Sequence, residues 1–514
     1  MACNILNPIL VFLSFQFSAV VGYKQPNVIF ILTDDQGYRD VGYHGALFDT
    51  PVIDKLAAEG VKLENYYVQT RCSPTRSQLM TGRYQIRTGL QHGVFTDSIP
   101  SCLPTDEITL AQKMKEAGYS THLVGKWHLG YYDEACLPNN RGFDSFLGLY
   151  LGVATHYSHR SIPPLVDGYD FHRNYLPAFE YNGTYSTHVF TDEAIDIIKN
   201  KTEDKPLFLY LSYQAPHSPL EVPDEYKEPL RGIFTDENRL SYAAMVSCLD
   251  EGIGKVVDAL KETGIYEDTI IIFSSDNGGA VGSDVIQGGA GNNWPLRGFK
   301  FSLFEGGIRA VGFVHSPLLS GNVKGTINNR LIHVSDWFPT IVEGIAGWNT
   351  NGTKPLDGIN QWNTIKYGTR SSRLELLHNI NPLNVVSGGR DWIVNMSLFD
   401  VSIEAAIRYR NWKLLTGNTG QTGWIAPPDS GLTTINGQSS PTDQIVWLYN
   451  VRKDPLEMND LSEAYPMVVK FLLTKLYNYH NQSVSVFFPA PQREQADPCL
   501  NGNDCVFDPW VPVP

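Results

Sequence analysis

The sequence predicts an α/β fold: a large mixed, mainly parallel sheet flanked by helices, followed by a smaller C-terminal α+β domain carrying an antiparallel sheet. Three observations carry this. Over the first two thirds of the chain, apolar runs of strand length alternate with helical patterns, as parallel strands joined by crossover helices require. From about residue 370 the texture changes to runs such as AAIRYRNWKLL and QIVWLYNV, which suit antiparallel strands. Polar residues also cluster directly after several apolar runs, where an open α/β sheet gathers its ligand.

In chain order, NVIFIL (27–32) reads as a buried strand, DKLAAEG as a helix and VKLENYYV as a strand. Pro74 suits a first helical turn, so the segment after Cys72 continues as a short helix ending at Gly82. ITLAQKMKEAG reads as a helix and STHLVGKW as the strand after it. PLFLYLSY (206–213), TIIIFSS (269–275) and IRAVGFV (308–314) are further central strands, and a long helix from about Asn238 to Thr263 precedes the second of them. YPMVVKFLLTKLYNYHNQ (465–482) has the pattern of one amphipathic helix packed on the C-terminal sheet. The proline-rich tail after Phe488 reads as irregular.

A chain of 514 residues is long enough for two domains, expected at 23–370 and 371–514. Ile9 to Val21 is apolar, too short to span a bilayer, and ends in the small residues Ala19 and Gly22, so 1–22 reads as a signal peptide. No later segment has the length of a membrane span, which argues against stable membrane insertion. A net charge of −14 argues against nucleic acid as partner, since phosphate binding needs basic surface. Sequons at Asn182, Asn200, Asn351, Asn395 and Asn481 fit a secretory route, secreted or lysosomal. Cys499 and Cys505 flank a turn-like segment and can pair locally, and Cys102 and Cys136 make a second plausible bridge. Cys248, inside a helical pattern, reads as a buried free thiol, which leaves Cys72 without an obvious partner.

The chemistry collects at strand ends. Asp34 and Asp35 follow the first strand, Lys126 and His128 follow STHLVG, His217 follows PLFLYLSY, and Asp276 and Asn277 follow TIIIFSS. Asp34, Asp35, Asp276 and Asn277 offer only oxygen donors, a set suited to a hard divalent cation such as Ca²⁺ or Mg²⁺. Each pair alone is also ordinary turn chemistry. His128 and His217 can move protons near neutrality, and Lys126, Lys300, Arg76 and Arg71 supply charge for an oxygen-rich anion. A cysteine at the start of a helix should be an acidified thiolate. Soft sulfur is nevertheless a poor neighbour for a hard cation, so residue 72 is expected not to act as sulfur.

CSPTR and GYSTHLVGKWHLG resemble the two signatures of the type I sulfatase family, and NNWPLRGFKFSLFEGGIRAVGF and TNGTKPLDG look most like its arylsulfatase B branch. The resemblance implies an alkaline-phosphatase-like fold and a sulfate-ester substrate. It also implies that a formylglycine-generating enzyme oxidises Cys72 to formylglycine during maturation. Asp34, Asp35, Asp276 and Asn277 would then hold one Ca²⁺ together with an oxygen of residue 72. By the same resemblance His217 protonates the departing alcohol, His128 acts as base, Arg76 orients the nucleophile, and Lys126 and Lys300 bind sulfate. The segment from Asn277 to Trp294 is longer than its counterpart and Ile162 to Tyr185 shorter, so the substrate is not inherited with the signatures. The competing expectations are a phosphoryl hydrolase of the same superfamily, which would favour Ser or Thr at the nucleophile and zinc ligands, and a non-catalytic binding protein retaining Cys72 unconverted.

Overall fold

A computed structural model of the chain describes residues 24–282, 289–386, 398–420, 422–435, 444–500, 502 and 504–511. The expected signal segment 1–22, the sequon at Asn395 and part of the loop between Asn277 and Trp294 lie outside the described residues.

The main sheet contains β1 (Asn27–Thr33), β2 (Val61–Leu63), β3 (Ser120–Gly125), β4 (Ser145–Gly148), β5 (His172–Arg173), β6 (Leu176–Pro177), β7 (Leu207–Ser212), β8 (Thr269–Ser275), β9 (Gly312–His315) and β10 (Thr326–Asn328). Their spatial order is β10-β2-β9-β8-β1-β7-β3-β4-β5-β6. The five central strands from β8 to β4 are parallel. β1 shows why such strands read as unbroken apolar runs. Val28, Phe30 and Leu32 enter the core on one face of the sheet, and Ile29 and Ile31 enter the core on the other. Each such side chain contributes about 1.5–3 kcal/mol by burial.

Two strand expectations change in detail. VKLENYYV divides into β2 and Tyr66–Tyr67, which pairs with Ile332–His333 in a separate two-stranded sheet. In IRAVGFV, Glu305–Ile308 forms a helical turn, so β9 starts only at Gly312 and runs antiparallel to β8.

The helices that matter for the site are α1 (Pro51–Glu59), α2 (Cys72–Thr81), α3 (Leu110–Glu116), α4 (Ser186–Lys199) and α5 (Glu237–Glu262). α2 and α3 contribute Leu79, Met80, Leu110 and Met114 to one core layer, while α1, α4 and α5 cover the opposite face. α3 starts with a capping box, in which the Thr109 hydroxyl accepts from Gln112 N and the Gln112 side chain accepts from Thr109 N.

A four-stranded antiparallel sheet follows, β11 (Glu375–Val385), β12 (Ile403–Tyr409), β13 (Trp412–Thr416) and β14 (Val446–Asn450), paired in sequence order. On one face α6 (Pro466–His480) packs through Val469, Leu472, Leu473 and Leu476. Ala406, Leu415, Trp447 and Tyr449 pack instead on Leu303 and Phe304, in the loop that carries Lys300. The described residues of the tail after Phe488 are irregular apart from a turn of helix at Arg493–Ala496 and a single bridge from Val506 to Tyr169. Cys102–Cys136 and Cys499–Cys505 are disulfides, while Cys72 and Cys248 are free and buried. The sequon residues Asn182, Asn200, Asn351 and Asn481 are all exposed. No helix among the described residues is long and apolar enough to cross a membrane.

Between the two sheets lies a fully buried ion cluster. Lys413 Nζ stands 3.0 Å from Glu305 and 2.8 Å from Glu457, and Tyr67 donates to Glu305 at 2.7 Å. Burial raises Glu457 to about 7, against the pull of Lys413. Lys413→Met should therefore lower unfolding stability by about 3–5 kcal/mol at pH 8, because two buried carboxylates lose their cation. The folded-state pKa of Glu457 lies above its unfolded value of 4.5, so protonation favours the fold as pH falls, and that contribution is lost as pH rises through about 7. Denaturation of the variant should accordingly show a smaller deficit at pH 5.5 than at pH 8.

Candidate active site

Strand register brings the predicted residues to one place. Thr33 of β1 is paired with Ser275 of β8, Leu32 with Ser212 of β7, and Ser212 with Gly125 of β3, so four adjacent strands end at one level. Neighbouring strands are about 4.8 Å apart, which puts Asp34, Asp276 and Lys126 within side-chain reach of one another. Gly125 makes the close ending of β3 possible: with φ +109°, a Cβ there would lie 1.8 Å from Ser212 O.

Asp34, Asp35, Asp276 and Asn277 are all buried. Asp34 pairs with Lys126 and lies 3.7 Å from Arg76. Asp276 accepts from Arg76 Nη2 at 2.9 Å and Nε at 3.2 Å, and from Asp35 N at 3.2 Å. Lys300 Nζ approaches the Asp35 carboxylate at 2.7 Å and the Cys72 sulfur at 3.6 Å. The Cys72 thiol is 3.5 Å from Asp34 Oδ1. Asn277 donates to Asp35 Oδ1 at 2.7 Å and to Gly278 O at 2.9 Å, while its Oδ1 is buried without a protein partner.

Donor atoms of Asp34, Asp35, Cys72 and His217 lie within 4.8 Å of one another. His217 therefore joins the cluster, whereas Asp276 stands behind it on Arg76. The orphaned Asn277 oxygen and the converging carboxylates are what a hard cation coordinated by oxygen would use.

The two histidines are held by different backbone carbonyls. His217 Nδ1 donates to Ser218 O at 2.6 Å, which turns Nε2 toward Lys300 at 3.4 Å and Asp35 at 3.6 Å. His128 Nε2 donates to Phe95 O at 2.9 Å, and its Nδ1 is buried without a partner. His128 sits at φ +55° in contact with Gly152, where a Cβ would fall 2.3 Å from the ring. Cys72, His128, His217 and Lys300 all line one cleft.

Electrostatics follow from burial and these pairs. Burial alone would raise the Asp34 carboxyl, but Lys126, His217, Arg76 and Lys300 hold it far below the usual range. Asp276 is raised to about 6 by burial and the Asp34 charge, against Arg76. Burial lowers both histidines; Lys126 and Arg76 add to it at His128, whereas Asp35 and Asp34 oppose it at His217, which is lowered less. Cys72 corrects an expectation. It is the first residue of α2, yet burial and the charge of Asp276 push its thiol up, not down. Desolvation of the charged form outweighs the helix dipole here.

All the predicted site residues meet at this cleft or directly behind it. Arg71 is half set apart: it donates to His92 O at 2.8 Å, and its guanidinium lies 5.2 Å from the Phe301 ring. Sequence reasoning missed Ser212, whose hydroxyl accepts from Arg76 at 2.7 Å and donates to Lys126 O at 2.8 Å. It also missed Thr75, which donates to Asp276 O at 2.6 Å. Ser212 ends a strand as Asp276 follows one, and that position was its only signal.

The sulfatase family model matches residues 26–345. Arylsulfatase J of Mus musculus is 47% identical over 506 residues, 96% of this chain and 81% of that protein. N-acetylgalactosamine-6-sulfatase of Homo sapiens is 31% identical over 367 residues, 68% of this chain and 67% of that protein. Among solved structures, the complex of Ps i-CgsB with k-i-k-neocarrahexaose has a TM-score of 0.74 at 28% identity, covering 93% of this chain and 98% of its own. These likenesses bear on the family and not on the arylsulfatase B branch.

In chain that retains cysteine at 72, iodoacetamide at pH 8 should label Cys72 to less than about a tenth of its level in denaturant, since the reactive thiolate is suppressed. Peptide mass spectrometry reads the labelling, and rapid native labelling would contradict the buried, raised thiol.

Proposed function

The chain belongs to the sulfatase family and is a sulfuric ester hydrolase; from that premise we propose that it uses a formylglycine made from Cys72, with a bound Ca²⁺, to cleave sulfate esters of sugars or small aryl or glucoside-type compounds. The observation that carries this reading is the convergence around residue 72 of Lys300, His128 and His217, which line one cleft, with Asp34, Asp35, Asn277 and Lys126 buried directly behind them. Asp34, Asp35, Asp276, Asn277 and an oxygen of residue 72 would hold the cation. When present, the hydrated aldehyde supplies an oxygen nucleophile and Ca²⁺ withdraws charge from the sulfate oxygens.

The chain's own residues do the rest. Lys126 and Lys300, already turned toward residue 72 by Asp34 and Asp35, bind sulfate oxygens and offset the charge that builds on them. Arg76, locked by Asp276, Ser212 and Lys126 O, holds the acids behind the nucleophile in place. His217 presents Nε2 to the cleft; with its Nδ1 proton held on Ser218 O, it takes a second proton from solvent at Nε2 and, as the imidazolium, passes that proton to the departing alcohol oxygen. His128 keeps its Nε2 proton on Phe95 O, so Nδ1 is the atom that accepts a proton from residue 72. Water enters overall, and the products are the alcohol and inorganic sulfate.

Because residue 72 is 2% exposed, its conversion by a formylglycine-generating enzyme must precede folding. The two disulfides and the exposed sequons support passage through the secretory pathway, to a secreted or lysosomal destination.

Purified from a host with the converting enzyme, the chain should contain formylglycine at 72 by peptide mass spectrometry and hydrolyse nitrocatechol sulfate in preference to nitrophenyl phosphate. Lys300→Ala should lower kcat/KM by about 10²–10³. A preference for the phosphate, or activity unchanged in chain that retains Cys72, would overturn the reading.

A further inference from the structure

Beyond the residues that hold the sulfate, the walls of the cleft are apolar: Val94, Phe95, Leu151, Val153, Leu165 and Phe301. Lys300 is the one lysine or arginine among the described lining residues, and it is engaged by Asp35. Asp97 adds a negative charge to the same wall, held in place because its carboxylate accepts from Val166 N at 2.6 Å and its carbonyl accepts from the Tyr131 hydroxyl at 2.5 Å. Arg71 is near and engaged, its guanidinium 5.2 Å from the centre of the Phe301 ring and one N–H on His92 O, and the Lys300 ammonium stands 5.4 Å from the centre of the same ring.

Phe301 is held in an unusual posture. Its φ is +74°, a region bulky residues rarely enter, and its N–H donates to Thr70 O at 2.9 Å. The ring is thereby fixed in the wall, one residue beyond Lys300, with a guanidinium 5.2 Å from its centre.

Building on the sulfatase reading, we propose that the leaving group is a small, uncharged alcohol or phenol with a flat apolar face, seated on Phe301, and that esters bearing a second anionic group close to the sulfate are rejected. An apolar ring recovers the burial and stacking that this wall offers. A neighbouring carboxylate or second sulfate would lose its hydration, find Lys300 and Arg71 already engaged by Asp35, His92 O and the Phe301 ring, and face Asp97. Phe301 and Asp97 are thus specificity-determining residues, the first by contact and the second by repulsion.

The test compares a matched pair, 4-methylumbelliferyl sulfate and its 3-carboxymethyl derivative, with a 4-sulfated chondroitin tetrasaccharide as third substrate, on formylglycine-bearing enzyme. The neutral ring ester should be favoured over the anionic one by at least about thirtyfold in kcat/KM. Phe301→Ala should raise its KM about tenfold while inhibition by inorganic sulfate stays within about twofold, a split that general damage to the site would not produce. Asp97→Asn, which still accepts from Val166 N, should narrow the preference by about fivefold or more. Equal or better turnover of the carboxymethyl ester or the tetrasaccharide would overturn this inference and leave the sulfatase reading standing. Failure of all three esters would overturn both.

Discussion

Three carboxylates buried side by side, Asp34, Asp35 and Asp276, are the constraint around which this molecule is arranged. Such a group is stable only if its charge is answered on the spot, and Arg76, Lys126 and Lys300 answer it one for one. The carboxylates lie just past the ends of β1 and β8, the cations come from α2, the residue after β3 and the loop before β9, and the register of the parallel strands brings them to the same height. A site neutral as a unit can take up a cation and an anion together without being left with a large net charge. The same groups that stabilise the fold at this edge are therefore prepared to receive a metal ion and a sulfate ester.

The C-terminal sheet serves this arrangement from behind. Leu303 and Phe304 pack on β12, β13 and β14, and Arg297 donates to Tyr449, Glu457 O and Thr422 O while its guanidinium lies 3.9 Å from the centre of the Phe304 ring. Lys300 and Phe301 sit on the loop held between these anchors. The second sheet thus fixes the one cation that approaches residue 72 from a loop and not from the end of a strand or helix.

Much of the site was legible because a parallel sheet writes its ligand positions into the chain: Asp34, Lys126 and Asp276 each directly follow an apolar run. The helix start at Cys72 was legible from Pro74 and Gly82. Other features were not, because they arise from tertiary contact. Nothing local marks Tyr66 and Tyr67 as leaving the main sheet for His333, nor the turn at Glu305 that delays β9. The thiol of Cys72 is raised because the fold buries it, whereas its local sequence predicts the opposite. Phe301 carries no signal until its backbone and its place in the cleft are seen together.

The central claim is that one cluster around residue 72 binds a cation and a sulfate as partners. Calorimetric titration of the chelator-treated, formylglycine-bearing protein with Ca²⁺, in the presence and absence of inorganic sulfate, tests it most directly. Each ligand should tighten the other by the same factor, and Asp35→Asn should weaken both. Ca²⁺ that fails to bind, or binds with an affinity indifferent to sulfate, would contradict the account.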